Sequence, residues 1–337
     1  MSLFDECFAA IPDLSQIPGD YELFWQKRLE ELRRIPQEVS LERKASKKFL
    51  SENSFSLSFQ SAGKFRLHGF FWSPRKFMGK PPVVVIFPDY NKSPVAYRGL
   101  FQAGLAQFVL YLRGQKEFEL YKGESNEKSP AAKRSPGYFG ENLLAVEKYY
   151  MVQLLLDAYR ALEVIRLRKE VDTSRIGIWG IGIGAAMALF VSRFMQRTTS
   201  LFLENPAFAF LELTQNLSQA DYAREINEAA KNLKKYKNLV KQNLAYSDAV
   251  VHALNLAIPT TMAIRLFDKE NVPHGGFAVF HLLQGDKEMH LFLDEQNETS
   301  LATEKKIRQL AIRFFESSLL GTGKTKEATQ DAGTFAV

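Results

Sequence analysis

The stretch RIGIWGIGIGAAMALF, residues 175–190, decides the fold. The apolar run 175–179 predicts a buried strand, residues 180–184 a glycine-rich turn, and residues 185–195 a helix. A strand that passes through a tight turn into a helix is the repeating unit of a parallel sheet. The chain on either side should then repeat this alternation.

The flanking sequence does alternate between strand and helix signals. Two alternating stretches, 55–59 and 65–72, predict a β-hairpin. Further strands are expected at 82–87, 107–112, 200–203, 260–266 and 288–293, and helices at 21–35, 96–106, 142–168, 274–283 and 302–319. This order predicts an α/β fold, a doubly wound and mostly parallel sheet with helices on both faces. Functional side chains in such sheets lie at the carboxyl ends of the strands.

One large domain is expected, spanning residues 41–319. Residues 1–40 form an N-terminal arm, Pro-rich and loop-like to about residue 18 and helical after it. Residues 207–256 carry helix signals without a strand and are expected to be a helical insertion. A polar segment at 114–137 predicts a long loop, and the small, polar residues 320–337 a disordered tail.

Composition excludes several classes of protein. The chain has 337 residues, of which 46% are hydrophobic and 24% charged, as in ordinary globular proteins. Cys7 is the only cysteine, so neither an intrachain disulfide nor a cysteine-based zinc site is expected. The absence of a long apolar run predicts no membrane span. The first residues lack the pattern of a signal peptide, so we expect a cytoplasmic protein.

The positive net charge does not indicate a nucleic-acid partner. The formal net charge is +6, but the basic residues are scattered. Their main cluster, residues 231–241, also has apolar residues at helical spacing, which predicts a solvated lysine face. No nucleic-acid motif accompanies it.

The glycine turn has three interpretations. Gly180, Gly182 and Ala185 fit a dinucleotide fingerprint, with Glu204 as the ribose-binding carboxylate at the end of the next strand. Alternatively, the turn is a nucleophile elbow, G-x-S-x-G, in which Gly182 stands where the serine would be. The third interpretation is a packing turn in which glycines let the helix approach the sheet.

Several segments, in a fixed order, resemble one known family. They are PGDYELFWQKRLEEL (18–32), PVVVIFPDYN (82–91), LYLRGQ (110–115), YYMVQLLLDAYRALE (149–163), VDTSRIGIWGIGIG (171–184), LFDKENVPHGGFAVF (266–280) and KEMHLFLDEQNE (287–298). Together they are similar to the acetyl xylan esterase / cephalosporin C deacetylase family of α/β-hydrolases, over about 18–319. The resemblance implies an α/β-hydrolase fold.

The resemblance also implies positions for the site. The catalytic acid falls on Asp268, the nucleophile on Gly182 and the base on Asn297, and none of the five histidines follows the last strand. The oxyanion-hole donors fall on the backbone N–H groups of Tyr90 and Ile183. A structural motif that anchors loops near the site falls on Arg113, Gly114 and Gln115.

These positions predict that ester hydrolysis has been lost. Glycine offers no attacking oxygen, and an asparagine amide cannot serve as a general base. Loss of the serine or the histidine alone costs a serine hydrolase about 10⁶ in kcat. We expect a non-catalytic binding or scaffold protein with a small-molecule or acylated-sugar ligand, homo-oligomeric as the family is. The alternatives are residual hydrolysis of acetyl esters and dinucleotide binding.

Acidic residues near the site bear on both ester hydrolysis and cation binding. Pro88 and Asp89 replace the family's His-Gly, and a carboxylate beside an oxyanion hole opposes the negative charge of ester hydrolysis. Asp89, Asp268 and Glu298 would also stand near the same sheet edge, where three carboxylates could hold a cation. Solvated surface acids are the commoner case, so the sequence predicts no metal and no cofactor.

Overall fold

The computed structural model describes residues 2–43, 52–74, 76–114, 137–293, 301–321 and 334–336. Within them, one mixed sheet has the strand order β1-β2-β3-β5-β4-β6-β7-β8-β9-β10. The strands are β1 (Ser40–Arg43), β2 (Glu52–Gln60), β3 (Arg66–Pro74), β4 (Pro82–Phe87), β5 (Ala106–Leu110), β6 (Asp172–Ile181), β7 (Thr198–Glu204), β8 (Thr260–Arg265), β9 (Lys287–Phe292) and β10 (Thr334–Ala336). Strands β5, β4, β6, β7, β8 and β9 are parallel, and the outer pairs are antiparallel.

Helices cover both faces of this sheet. They are α1 (Leu3–Ala9), α2 (Tyr21–Arg33), α3 (Arg98–Gln102), α4 (Tyr150–Arg166), α5 (Ile183–Phe194), α6 (Leu211–Leu217), α7 (Asp221–Lys231), α8 (Lys237–Ala245), α9 (Ala249–Ala253), α10 (Pro273–Leu282) and α11 (Leu301–Leu320). Helices α3 and α11 pack on one face, and the apolar sides of α2, α4, α5, α9 and α10 belong to the larger cluster on the other. The predicted doubly wound, mostly parallel sheet is confirmed.

The central strand β4 shows why this arrangement follows from the sequence. Its run PVVVIF is buried along its whole length. Val83 and Val85 point into the larger apolar cluster, whereas Val84 and Ile86 point into the smaller one. A central parallel strand is covered by helices on both faces of the sheet. It therefore needs an apolar residue at every position.

Several predicted elements are present with shifted boundaries. The hairpin is β2 and β3, and residues 207–256, predicted as a helical insertion, contain α6 to α9. Lysines between α7 and α8 are exposed, as a solvated face requires. Residues 142–149 do not extend the following helix, since α4 begins only at Tyr150. No helix among the described ranges combines the length and apolarity that crossing a bilayer needs.

Both ends of the chain contain structure that the sequence analysis did not predict. Residues 1–18 include helix α1, which is stabilised by a reciprocal capping box between Ser2 and Asp5 and by Phe4, whose ring packs edge-on against Phe277. The prediction of a disordered tail is wrong at Thr334–Ala336, because these residues form β10 against β9. The predicted long loop at 114–137 lies almost wholly outside the described residues.

Candidate functional site

The turn between β6 and α5 has the geometry of an elbow. Gly182 adopts φ +54° and ψ −117°, a conformation that costs a residue with a side chain about 1–3 kcal/mol. Its N–H donates to the Glu204 carbonyl at 2.9 Å, and its carbonyl accepts from the Ala207 N–H at 3.1 Å. Strands β4 and β7 flank β6, so the turn stands at the carboxyl edge in the middle of the sheet.

The space for a side chain at Gly182 is already filled. A Cβ on Gly182 would lie 2.1 Å from Cγ of Asp89, 2.2 Å from Oδ1 and 2.4 Å from Oδ2. Asp89 follows β4 and is only 9% exposed. Its carboxylate therefore takes the place that the first atoms of a nucleophile would occupy.

Asp89 also uses both N–H groups that the resemblance assigns to the oxyanion hole. Its Oδ1 accepts from the backbone N–H of Tyr90 at 2.8 Å and of Ile183 at 2.9 Å. Its Oδ2 accepts from the Asn271 side-chain amide at 3.0 Å. If that assignment is right, the Asp89 carboxylate and an ester carbonyl oxygen would compete for the same two donors.

Burial and hydrogen bonding act on this carboxyl group in opposite directions. Burial raises the pKa of Asp89 above its ordinary value, while the three hydrogen bonds oppose that rise. The N-terminus of α5, which begins at Ile183, favours negative charge at this point. The backbone N–H dipoles of Tyr90 and Ile183 therefore stabilise the carboxylate of Asp89.

Asp268 lies in the same neighbourhood, just after β8. Its Oδ1 accepts from the backbone N–H groups of Glu270 and Asn271, each at 2.9 Å, and its Oδ2 from the Asn205 amide at 3.0 Å. Burial raises the pKa of Asp268, opposed by these hydrogen bonds and by Arg265, 3.9 Å away. Asn271 therefore bonds Asp268 through its backbone and Asp89 through its side chain.

Histidines that could act as a base have other partners. His290 Nε2 lies 3.0 Å from Glu288, and His281 bonds a backbone carbonyl. His274 is the exception: its ring nitrogens are buried without a hydrogen-bond partner among the described residues, and the Glu6 carboxylate lies 3.6 Å from its Nε2. His252 is fully buried and bonds the Tyr21 hydroxyl at 2.6 Å. The hydrogen bonds of Asp268 within the described residues come from elsewhere, and the predicted base position, Asn297, lies outside the described residues, as does Glu298.

Arg113 belongs to a separate network. Its guanidinium binds both carboxylate oxygens of Asp157 at 2.6 and 2.9 Å and the Ala62 carbonyl at 3.1 Å, so it ties the hairpin turn to α4. Gly114 has φ +76°, and a Cβ there would lie 2.8 Å from the Tyr138 ring. Gln115 lies outside the described residues.

The contacts of the glycine turn distinguish between its three interpretations. A pyrophosphate needs free N–H groups at the helix N-terminus, but Asp89 accepts the first of them. Glu204 is paired with Arg265 at 3.0 Å. A Cβ on Gly184 would lie 2.0 Å from the Phe87 carbonyl oxygen, so this glycine is needed for helix packing. The geometry favours an elbow with packing glycines over a dinucleotide site.

A cleft of about 670 Å³ opens beside Asp89 and Asp268. Six of its charged side chains form close pairs: Arg265 with Glu204 at 3.0 Å, Lys92 with Glu270 at 3.1 Å, and Arg308 with Glu304 at 2.7 Å. Lys269 lines the cleft as well. Among the described residues, no three acidic, histidine or cysteine side chains are grouped so that they could hold a metal ion.

Comparison with known proteins places the chain in a family. The acetyl xylan esterase (AXE1) family model matches residues 9–314. The chain belongs to the acetyl xylan esterase family. Acetyl esterase Axe7A of Xylanibacter ruminicola is 22% identical over 304 residues, which cover 86% of this chain and 67% of that protein.

Solved structures of the family share the fold. The acetyl xylan esterase from Paenibacillus sp. R4 has a TM-score of 0.80 at 24% identity, covering 95% of this chain and all of that one. Acetyl xylan esterase 1 from Thermoanaerobacterium sp. JW/SL YS485 has a TM-score of 0.78 at 20% identity, covering 94% and 98%. These likenesses confirm the α/β-hydrolase fold, while the activity has to be argued from this chain's own residues.

Sequence reasoning missed two features of the site. It placed Asp89 beside the N–H groups assigned to the oxyanion hole but not on them, and it gave Asn271 no role. The sequence shows that Asp89 directly precedes Tyr90 and that position 182 is a glycine, but only the structure shows the Asp89 carboxylate filling the space at Gly182. The sequence held no signal for Asn271, whose amide reaches Asp89 only because of how the loop after β8 folds.

Proposed function

We propose that this family member no longer hydrolyses esters by a serine mechanism and acts instead as a non-catalytic, cytoplasmic binding protein. Its ligand would be a small polar molecule of the sugar class, held in the cleft beside Asp89. One observation carries the proposal: the Asp89 carboxylate fills both the side-chain space of Gly182 and the N–H pair of Tyr90 and Ile183.

Two physical requirements of acyl transfer support this reading. The reaction needs an oxygen or sulfur nucleophile, and Gly182 has no side chain to supply one. It also needs N–H donors that are free to bind the developing oxyanion. An ester carbonyl could reach those donors only after Asp89 left them, at a cost of about 1.5–3 kcal/mol for each hydrogen bond to the charged group.

Ester turnover by the purified full chain tests the proposal. We expect p-nitrophenyl acetate to be hydrolysed no faster by the protein than by buffer, and no faster by the protein than by its Asp268→Ala variant. Saturable turnover that Asp268→Ala abolishes would instead establish the residual-hydrolysis alternative.

The dinucleotide alternative has its own measurement. We expect no change in melting temperature with NAD or NADP, because a carboxylate at the N-terminus of α5 repels a pyrophosphate. Stabilisation that rises with cofactor concentration would overturn this expectation.

A further inference from the structure

The cleft contains one buried carboxylate, Asp89, whose hydrogen bonds within the described residues include none from an arginine or lysine, although Lys92 acts on it as a nearby charge. Glu204, Glu270 and Glu304 each have an arginine or lysine within 3.1 Å. Asp268 has the Arg265 guanidinium 3.9 Å away. Asp89 differs, because its hydrogen-bond donors within the described part of the chain are two backbone N–H groups and one amide, all of them neutral.

The geometry leaves Asp89 able to accept more. A carboxylate offers about four acceptor positions on its two oxygens. Oδ1 uses two, for Tyr90 and Ile183, whereas Oδ2 has one donor among the described residues, the Asn271 amide. Asp89 also lines the cleft, so a ligand there can approach it. A buried carboxylate that accepts only from neutral donors gains more from a direct contact with a cation than an exposed one does, because little water competes.

We propose that the cleft binds a primary ammonium group, which donates to Asp89 Oδ2, on a small polyhydroxylated frame such as an amino sugar. This inference rests on the proposed function and names its ligand class. Asp89 reverses the charge of the ligand that this site favours. Free N–H groups attract a carbonyl oxygen or an anion, whereas the carboxylate that covers them attracts a cation.

The cleft walls suit such a frame. Gln219 is exposed at the wall and Lys92 stands near Asp89, so hydrogen-bonding groups surround the opening. Phe267 is 46% exposed on the same wall and offers an apolar surface to the C–H face of a sugar ring. The other glutamates of the cleft, Glu204, Glu270 and Glu304, are already paired with basic side chains, so Asp89 is the carboxylate that a ligand's ammonium group can use. Lys269 also lines the cleft and adds a positive charge to its wall.

Three matched sugars test the inference by calorimetric titration of the full chain. Glucosamine carries the ammonium group, N-acetylglucosamine has it masked by an acetyl group, and glucose lacks it. We expect glucosamine to bind about 10–100-fold more tightly than glucose, the range for a hydrogen bond between charged groups, and N-acetylglucosamine to bind no better than glucose.

Two variants assign the effect to Asp89. Asp89→Asn keeps the side chain's shape and removes its charge, so the preference for glucosamine over glucose should fall to about 1–3-fold. Glu212→Gln removes a carboxylate outside the cleft that is paired with Lys241, and should keep the preference.

Equal affinity for glucosamine and glucose, no measurable glucosamine binding, or a preference that survives Asp89→Asn would each overturn the inference. The p-nitrophenyl acetate assay separates this failure from failure of the proposed function. Ester turnover would overturn the proposed function, whereas an inactive protein without ammonium preference would overturn only the ligand class.

Discussion

Adding one methyl group to the elbow should be costly, and the reason should be Asp89. In Gly182→Ala the new Cβ would stand 2.1–2.4 Å from three atoms of the Asp89 carboxyl group. Ordinary contacts between carbon atoms are about 3.5–4.0 Å, so the carboxylate must leave. It then loses hydrogen bonds to Tyr90, Ile183 and Asn271.

The size of the loss follows from those contacts. Three hydrogen bonds to a charged group amount to about 4 kcal/mol or more, and the positive φ of Gly182 adds about 1–3 kcal/mol. In an Asp89→Gly background the clash and the hydrogen bonds are both absent. There, Gly182→Ala should cost only the backbone strain, so the two substitutions should couple by the hydrogen-bond term, about 4 kcal/mol or more.

Urea denaturation of the four proteins in this cycle measures the coupling. Gly63→Ala is the control, because Gly63 has a similar φ of +66° and no heavy atom within 4 Å of a new Cβ. Gly63→Ala should lower the free energy of unfolding by the backbone strain alone, both with Asp89 present and in the Asp89→Gly background. An equal cost of Gly182→Ala with and without Asp89 would refute the reasoning.

Three further expectations concern the buried His252, the Arg113–Asp157 ion pair and the elbow at Gly182. Burial lowers the pKa of His252 from 6.5 to about 3, so between those values the unfolded chain binds a proton that the folded chain excludes, and His252 should lower the free energy of unfolding by about 2 kcal/mol from pH 7 to pH 5. Burial raises the pKa of Asp248 to about 6, which acts in the opposite direction, so the His252 contribution is the difference between urea titrations of the wild-type chain and of His252→Gln; an equal pH dependence of the two proteins would contradict it. Arg113→Ala leaves a buried carboxylate unpaired and should cost about 3–5 kcal/mol in urea denaturation, with Arg113→Lys restoring only part because it lacks the two-pronged geometry; full restoration by lysine would contradict that geometry. Gly182→Ser with Asn297→His should give no p-nitrophenyl acetate turnover until Asp89→Gly is added; turnover by the double variant, equal to that of the triple variant, would show that Asp89 does not block the site.

The fold was largely predictable because its signals are local and redundant. The run PVVVIF at β4 and the glycine turn at 180–184 specify a buried parallel strand and a tight strand-to-helix connection by themselves. Helix α1 was not predicted, since its stability depends on Ser2 capping and on an aromatic contact with Phe277, distant in sequence. Strand β10 depends similarly on the free edge of β9.

The sequence predicted where the site lies, but it did not predict that the Asp89 side chain fills it. Resemblance to the family assigned roles to Gly182, Tyr90 and Ile183, and these assignments remain predictions. The direction of the Asp89 side chain depends on donors from three separate loops, after β4, β6 and β8, and no sequence pattern encodes their convergence.

The account depends most on the Asp89 carboxylate resting on the two backbone N–H groups. Amide proton NMR of the ¹⁵N-labelled full chain observes both groups directly. In Asp89→Gly, the Tyr90 and Ile183 amide protons should both move upfield and exchange faster with water, while the Gln60 amide, bonded to the Gln37 carbonyl, stays unchanged. Unchanged Tyr90 and Ile183 resonances would contradict the account.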